Sequence, residues 1–266
     1  MAHIRELTNL LPQPVRFGLR KVLFYGARHR CVLCLSDVRE FRAHGGGAEV
    51  LDLRQVVGGI RREGDRCPVC HGVDRTRLIM FYLSIEADLG KSSLRVLHVA
   101  PEFGLYLWLK RQPKVEYFAT DFDAVRYRHI EGIRPADLTA APFPDESFDV
   151  VICSHVLEHI PDDRKALAEL LRILRPGGRA LLLTPFALDG KGTEEDPALN
   201  DPVEQDRRFG QWDHVRLYDR EDFLSRMRAV GFDAALFDAY GTDSARAAAL
   251  HLNPLEKLPI GRKPAA

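Results

Sequence analysis

Short apolar runs and amphipathic runs take turns between Leu94 and Thr184, and this alternation restricts the fold more than any other feature. Residues 94–100 and 115–120 read as buried strands, with a helix over 105–111 between them. Residues 148–153 form a third clear strand. Residues 162–174 place Ala166, Leu167, Leu170, Leu171 and Leu174 on one helical side, and Pro176-Gly177-Gly178 stops the pattern. Residues 179–184 read as a further strand. Strands spaced by helices form parallel sheets, so an α/β fold with an open sheet and helices on both faces is expected.

The flanks differ in texture. Residues 75–89, with Leu78, Ile79, Phe81, Tyr82, Leu83 and Ile85, suit a helix that Gly90 ends. Residues 186–216 are polar and rich in Asp, Glu, Gly and Pro, the composition of a long functional or disordered loop. A helix over 220–230 ends at Gly231, and 232–237 reads as a late strand. The tail carries Pro254, Pro259, Gly261 and Pro264 and reads as irregular.

Upstream lie two CxxC pairs, Cys31-Val-Leu-Cys34 and Cys67-Pro-Val-Cys70. Each such turn aims two sulfurs at one ion, so the four thiolates suit one tetrahedral zinc. The gap between the pairs is long for a compact ribbon, and its glycines at 45–47 and 58–59 absorb the length as hairpins. A disulfide pair or unrelated buried thiols are the other readings, and His44 or His71 could replace a cysteine. A closed four-cysteine site keeps no open position, so its role would be structural or in recognition. Cys153 ends an apolar strand and reads as core.

The first thirty residues are basic: Arg5, Arg16, Arg20, Lys21, Arg28 and Arg30 face only Glu6. Val15, Phe17, Leu19, Val22, Leu23 and Phe24 are mixed among them. This is either an amphipathic helix touching an anionic membrane surface or a helix packed on its own domain with a solvated basic face. The small number of apolar positions favours the second. The textures divide the chain into a basic amphipathic segment (1–27), a zinc ribbon (28–74), an α/β domain (75–252) and an irregular tail (253–266).

Composition excludes some classes. Thirty-eight basic and 38 acidic residues cancel, which gives no overall attraction to nucleic acid. No run approaches the roughly 20 apolar residues of a membrane span, and residues 1–10 do not read as a secretory signal. A cytoplasmic location is expected, where thiols stay reduced.

The run Asp137-Leu-Thr-Ala-Ala-Pro-Phe-Pro-Asp-Glu-Ser-Phe-Asp149-Val-Val-Ile-Cys-Ser-His-Val-Leu-Glu-His159-Ile-Pro-Asp, followed by Leu174-Arg-Pro-Gly-Gly-Arg-Ala-Leu-Leu-Leu-Thr184, resembles class I S-adenosylmethionine (SAM)-dependent methyltransferases. The resemblance covers residues 94–237 and implies a Rossmann-like sheet that binds SAM at the carboxyl ends of its strands. It implies that Asp121 takes the ribose hydroxyls and that Asp137, with the Leu138 amide, takes the adenine. Either Asp could instead be a turn or cap residue, and Asp123 reads as a cap. The family has an acid and three glycines in the first loop. Here it reads His98-Val-Ala-Pro-Glu-Phe-Gly104, so Ala100, Glu102 and Gly104 are the cofactor candidates, Glu102 for the ammonium group.

Ser154, His155, Glu158 and His159 follow the third strand and should line the methyl-transfer pocket. His155, His159 and the later His214 are the candidate catalytic residues, since imidazole removes protons near neutral pH. Some O-methyltransferases carry Glu-x-x-Glu-His here plus a later His for a divalent metal. By that resemblance His155, Glu158, His159 and His214 are a second candidate metal set, and the other reading is that Glu158-His159 caps the helix. Arg216 is a candidate for holding a carboxylate or phosphate. The Asn/Asp-Pro-Pro-Tyr/Phe pattern of amino-methylating enzymes is absent, which favours oxygen as acceptor. The expected function is O-methylation of a small molecule or glycan. The alternatives are an rRNA or tRNA methyltransferase and a non-enzymatic zinc-dependent scaffold.

Overall fold

The computed structural model describes residues 12–86 and 92–265. Arg5, Glu6 and Gly90 lie outside them. The chain begins with α1 (Gln13–Leu23) and short strands β1 (His29–Arg30), β2 (Asp37–Val38) and β3 (Arg42–His44). Next come α2 (Glu49–Leu53), β4 (Arg62–Arg66) and α3 (Asp74–Glu86). β1 pairs with β2 as an antiparallel hairpin around Cys31 and Cys34. β3 pairs antiparallel with β4 across a connection that holds α2, so residues 50–53 are helical rather than part of a hairpin.

The rest is built on β5 (Leu94–Val99), α4 (Phe103–Leu109), β6 (Val115–Asp121), β7 (Ile133–Pro135), β8 (Phe148–Ser154), α5 (Asp163–Ile173) and β9 (Leu174–Leu183). It continues with β10 (Phe186–Ala187), β11 (Glu194–Glu195), α6 (Pro202–Phe209), β12 (Arg216–Asp219), α7 (Arg220–Ala229), β13 (Asp233–Phe237), α8 (Ala239–Ala249) and β14 (Leu258–Arg262). Seven strands form one sheet in the order β13-β14-β9-β8-β5-β6-β7. The neighbours from β9 to β7 are parallel, as the alternation required. Val96, Leu97, Val151, Ile152, Leu181 and Leu182 are fully buried at its centre, which is why these strands read as continuous apolar runs.

Three expectations are corrected. The tail is not irregular: β14 lies between β9 and β13 and is antiparallel to both. The polar stretch 186–216 is not one long loop. It holds β10, β11 and α6, and β10 and β11 flank β12 in a small sheet. Asp201 caps α6 by accepting from the Val203 amide at 3.0 Å, Pro202 opens the helix, and left-handed Gly210 closes it. Helix α8, capped by Asp238, follows β13 where no helix was expected.

The reversal of strand order at β5 opens a crevice at the carboxyl ends of β5, β6 and β8, where ligands of such sheets bind. The N-terminal module is tied to the same end. Val57 exchanges backbone hydrogen bonds with Phe186, at 2.9 and 3.1 Å. The buried Arg54 guanidinium binds Asp189 at 2.6 Å and the Gly192 carbonyl at 2.8 Å.

Candidate functional site

The four cysteines of the two CxxC pairs come together, buried and unbonded to one another. Cys31 Sγ lies 3.8 Å from Cys70 Sγ, and Cys34 Sγ lies 3.9 Å from Cys67 Sγ. A tetrahedron with zinc–sulfur bonds of about 2.3 Å has edges of about 3.8 Å, so the donor set fits one zinc. Two matching turns build it. Leu35 and His71, each the residue after the second cysteine of its pair, adopt positive φ, 60° and 63°. Their amides donate to the carbonyls of Cys31 and Cys67. His44 and His71 do not belong to the cluster. Cys153 is core, as expected.

The crevice is a cavity of about 620 Å³ lined by Ala100, Asp121, Asp137, Leu138, His155 and His159 among others, a size ordinary for a cofactor or small-ligand site. Asp121, the last residue of β6, faces it, and burial raises its pKa although the Asp123 amide donates to it at 2.7 Å. Asp137 is held by its own turn: one carboxylate oxygen accepts from the Thr139 amide and hydroxyl, both at 2.8 Å. Its second oxygen makes no such bond among the described contacts. Asp123 accepts from the Arg126 amide at 3.3 Å and caps a turn. Ala100 has φ 48°, a backbone shape usual for glycine, so the loop keeps the glycine conformation without the glycine.

Two first-loop candidates lie elsewhere. Gly104 does not line the cavity; it is buried in α4 against the cysteine module, and a Cβ there would meet Cys70 Sγ at 3.1 Å and Leu33 at 3.2 Å. Glu102 is engaged by Arg75 at 3.1 Å, with His98 4.0 Å away on its other oxygen. Burial raises its pKa, and Arg75 opposes the rise.

Beyond β8 the backbone turns through His155, whose φ of 54° is strained for a residue with a side chain. Its Nδ1 lies 3.5 Å from Glu158 Oε1, too poorly aligned for a hydrogen bond, and its Nε2 has no partner. Burial drives the His155 pKa well down, so the ring is neutral, and burial raises Glu158 to about 7. The donor atoms of Glu158, His159 and His214 lie within 4.8 Å of one another, while His155 stays outside that group. The expected four-residue metal set is therefore not assembled, and three of its members are. Burial opposes charge on His159, and Asp213, 3.4 Å from Nδ1, overrides it and raises the pKa.

Arg216 is not available to a substrate. It is fully buried and donates to the carbonyls of Leu157, Ile160 and Pro161, so it clamps the turn that carries Glu158 and His159.

Sequence reasoning missed Gly58 and Glu256. Gly58 has φ 85°, and a Cβ there would sit 3.4 Å from His155 Nε2 and 3.6 Å from Glu256 Oε2. Glu256 is buried with both oxygens unpartnered, and burial raises its pKa to about 8. A lone Glu in a proline-bearing tail carries no signal of this; only the insertion of β14 places it.

Residues 107–182 match a family model described as a methyltransferase domain. A ubiquinone/menaquinone biosynthesis C-methyltransferase, UbiE, of Dinoroseobacter shibae is 31% identical over 171 residues, 54% of this chain and 68% of that protein. The chain belongs to the class I SAM-dependent methyltransferases. The uncharacterized methyltransferase YcgJ of Bacillus subtilis is 37% identical over 103 residues, 38% of this chain and 37% of its own length. A demethylmenaquinone methyltransferase of Thermus thermophilus is 37% identical over 112 residues and is spanned to 51%. The chain thus spans between about a third and two thirds of these relatives. A SAM-dependent methyltransferase structure from Mesorhizobium loti overlays with a TM-score of 0.50 at 16% identity, covering 71% of this chain and 98% of that one. The family match supports SAM as cofactor and a methyltransferase activity.

Proposed function

We propose that this methyltransferase places its methyl group on an oxygen of a small hydroxylated molecule or glycan. One observation carries the reading: buried polar atoms without partners gather beside the cofactor cavity. They are Ser154 Oγ, His155 Nε2 and the carboxylates of Glu158 and Glu256. His155 lines the cavity, Ser154 precedes it, Glu158 lies 3.5 Å from its ring, and Glu256 faces it across Gly58. Folded proteins pair nearly all buried polar atoms, so such a gathering marks a place for ligand. Most of these atoms accept hydrogen bonds. They suit a ligand rich in hydroxyl groups, which can both donate to and accept from carboxyls that burial keeps largely protonated.

SAM, when bound, supplies an electrophilic methyl group on a sulfonium. In the chain itself, Asp121 and Asp137 would hold the nucleoside. Neutral His155 would take the acceptor hydroxyl proton on Nε2. The four cysteines would hold a structural zinc that keeps Gly58 against this chamber. Glu158, His159 and His214 would offer three donors to a divalent cation, and that addition predicts loss of turnover in EDTA with recovery on Mg²⁺ or Zn²⁺.

The names of two relatives favour a second reading, methylation of a ring carbon, for which the same base would ionise a ring hydroxyl. An acceptor screen with methyl glycosides, hydroxylated acids and hydroquinones tests both. A methyl proton resonance typical of a methoxy group, lost in His155→Ala with S-adenosylhomocysteine affinity retained, supports the first. Carbon-bound methyl in the product overturns it.

A further inference from the structure

Helix α1 is mounted the opposite way from an ordinary surface helix. Its half-buried side holds Gln13, Arg16, Phe17 and Arg20, and Phe17 packs edge-on against Phe103 at 5.5 Å. Its outer side carries Val15, Leu19, Val22 and Leu23, all exposed, with Val22 at 78%. These positions, spaced i, i+4, i+7 and i+8, form one continuous apolar stripe. No residue of the helix is buried. The reading of a helix packed by its apolar face onto its own domain therefore does not hold for these four residues.

The charge along the helix and the turn after it has one sign in the sequence, and Asp37 beyond it pairs with Arg30 at 4.0 Å. From Pro12 to Ser36 there is no Asp or Glu, while Arg16, Arg20, Lys21, Arg28 and Arg30 all fall there. Lys21 is exposed and lies over the Phe17 ring at 4.7 Å, on the flank between the inner side of the helix and the stripe. Arg28 is exposed just beyond it. Apolar side chains rimmed by cations match a lipid surface, where acyl chains lie beneath anionic headgroups.

The helix also neighbours the cofactor crevice. Phe103 opens α4, directly after the first cofactor loop, and His129 packs on its other side at 5.6 Å. His129 belongs to the segment after β6 that bears exposed Val125, Arg126 and Arg128, and Arg126 lines the cavity. A surface touching the stripe would thus lie near the mouth of the site.

We infer that α1 docks this methyltransferase on an anionic lipid surface through Val15, Leu19, Val22 and Leu23, with Lys21 and Arg28 on the headgroups. A single short helix binds weakly through its apolar side chains alone, so both parts are needed. Among the described residues no helix is long and apolar enough to cross a membrane, so the contact is peripheral.

The test is co-sedimentation of the full chain with phosphatidylcholine vesicles, with and without roughly one-third phosphatidylglycerol. Binding to the anionic vesicles should exceed binding to neutral ones at least about ten-fold, and fall as salt shortens the screening length. Leu19→Asp with Val22→Asp should remove it, and Lys21→Glu with Arg28→Glu should weaken it about ten-fold. S-adenosylhomocysteine affinity, unchanged in both variants, controls for folding, and the charge reversal alone carries the test should the aspartates unfold the helix. Absent or lipid-independent sedimentation overturns the inference, as does full binding by the variants. Binding that appears only after removal of residues 1–11 assigns the stripe to that segment and overturns it too.

Discussion

A Cβ built on Gly104 would stand 3.1 Å from Sγ of Cys70. The last glycine of the cofactor loop thus serves the docking of the cysteine module, not the approach of a ligand. Its neighbour Gly72 would clash with Leu33 at 2.3 Å, so the contact is backbone-close on both sides. Gly104→Val should therefore push the Cys70 turn away, at a cost of about 1–3 kcal/mol. A lower Tm with faster zinc release, measured by a chromogenic chelator, is expected. S-adenosylhomocysteine affinity of the folded protein should change little. A large loss of that affinity with zinc retention intact would restore Gly104 to the cofactor site.

Asp121 ends β6 with its carboxylate toward the cavity. A charged acceptor of two hydroxyl groups contributes about 1.5–3 kcal/mol per hydrogen bond. Asp121→Ala should weaken S-adenosylhomocysteine binding by at least about ten-fold in a calorimetric titration. Asp137→Ala should cost less than Asp121→Ala, because one oxygen of Asp137 is already used by Thr139. Equal affinity for the native protein and Asp121→Ala would remove the ribose role.

Arg216 tests a structural assignment against a catalytic one. Burying its guanidinium is balanced by three carbonyls and by Glu195 at 3.2 Å. Arg216→Met removes the donor to the Ile160 and Pro161 carbonyls, while Glu195 keeps Arg226, and should destabilise the fold by about 1–3 kcal/mol, read as a lower urea midpoint. A variant of native stability that has lost only acceptor turnover would contradict this.

The parallel strands were legible because strands buried on both faces have no polar positions, as in Val150-Val151-Ile152-Cys153. β14 was not, because Leu258-Pro259-Ile260-Gly261-Arg262 contains two residues that ordinarily break strands. Its geometry explains both. Pairing with β9 begins only at Ile260, beyond the proline that lacks an N–H. Gly261 is required because a Cβ would lie 2.7 Å from Phe232. At the site, Asp121, His155 and the four cysteines could be named from motif and spacing. Gly104 and Arg216 could not be assigned correctly, because packing neighbours distant in sequence decide what each side chain faces. The caps of α6, Asp201-Pro202 and Gly210, were visible signals hidden by the polar composition around them.

His98 makes the acid response of this protein predictable in sign. It is fully buried on β5, its Nδ1 lies 3.2 Å from the Tyr117 hydroxyl, and burial lowers its pKa from 6.5 to about 3. As pH falls below 6.5 the unfolded chain takes up a proton at this position and the folded chain does not. Stability must fall by about 1.4 kcal/mol per pH unit for this group, levelling off below its folded value. Burial lowers His44 and His214 to about 4, so they add to the loss in the same direction. Urea unfolding at pH 7, 6 and 5 should therefore show a steep decline for the native chain. His98→Asn should unfold with about one proton fewer taken up between pH 6 and 5. An identical pH slope for the two proteins would mean that His98 is protonated in the fold, and that burial does not hold it neutral.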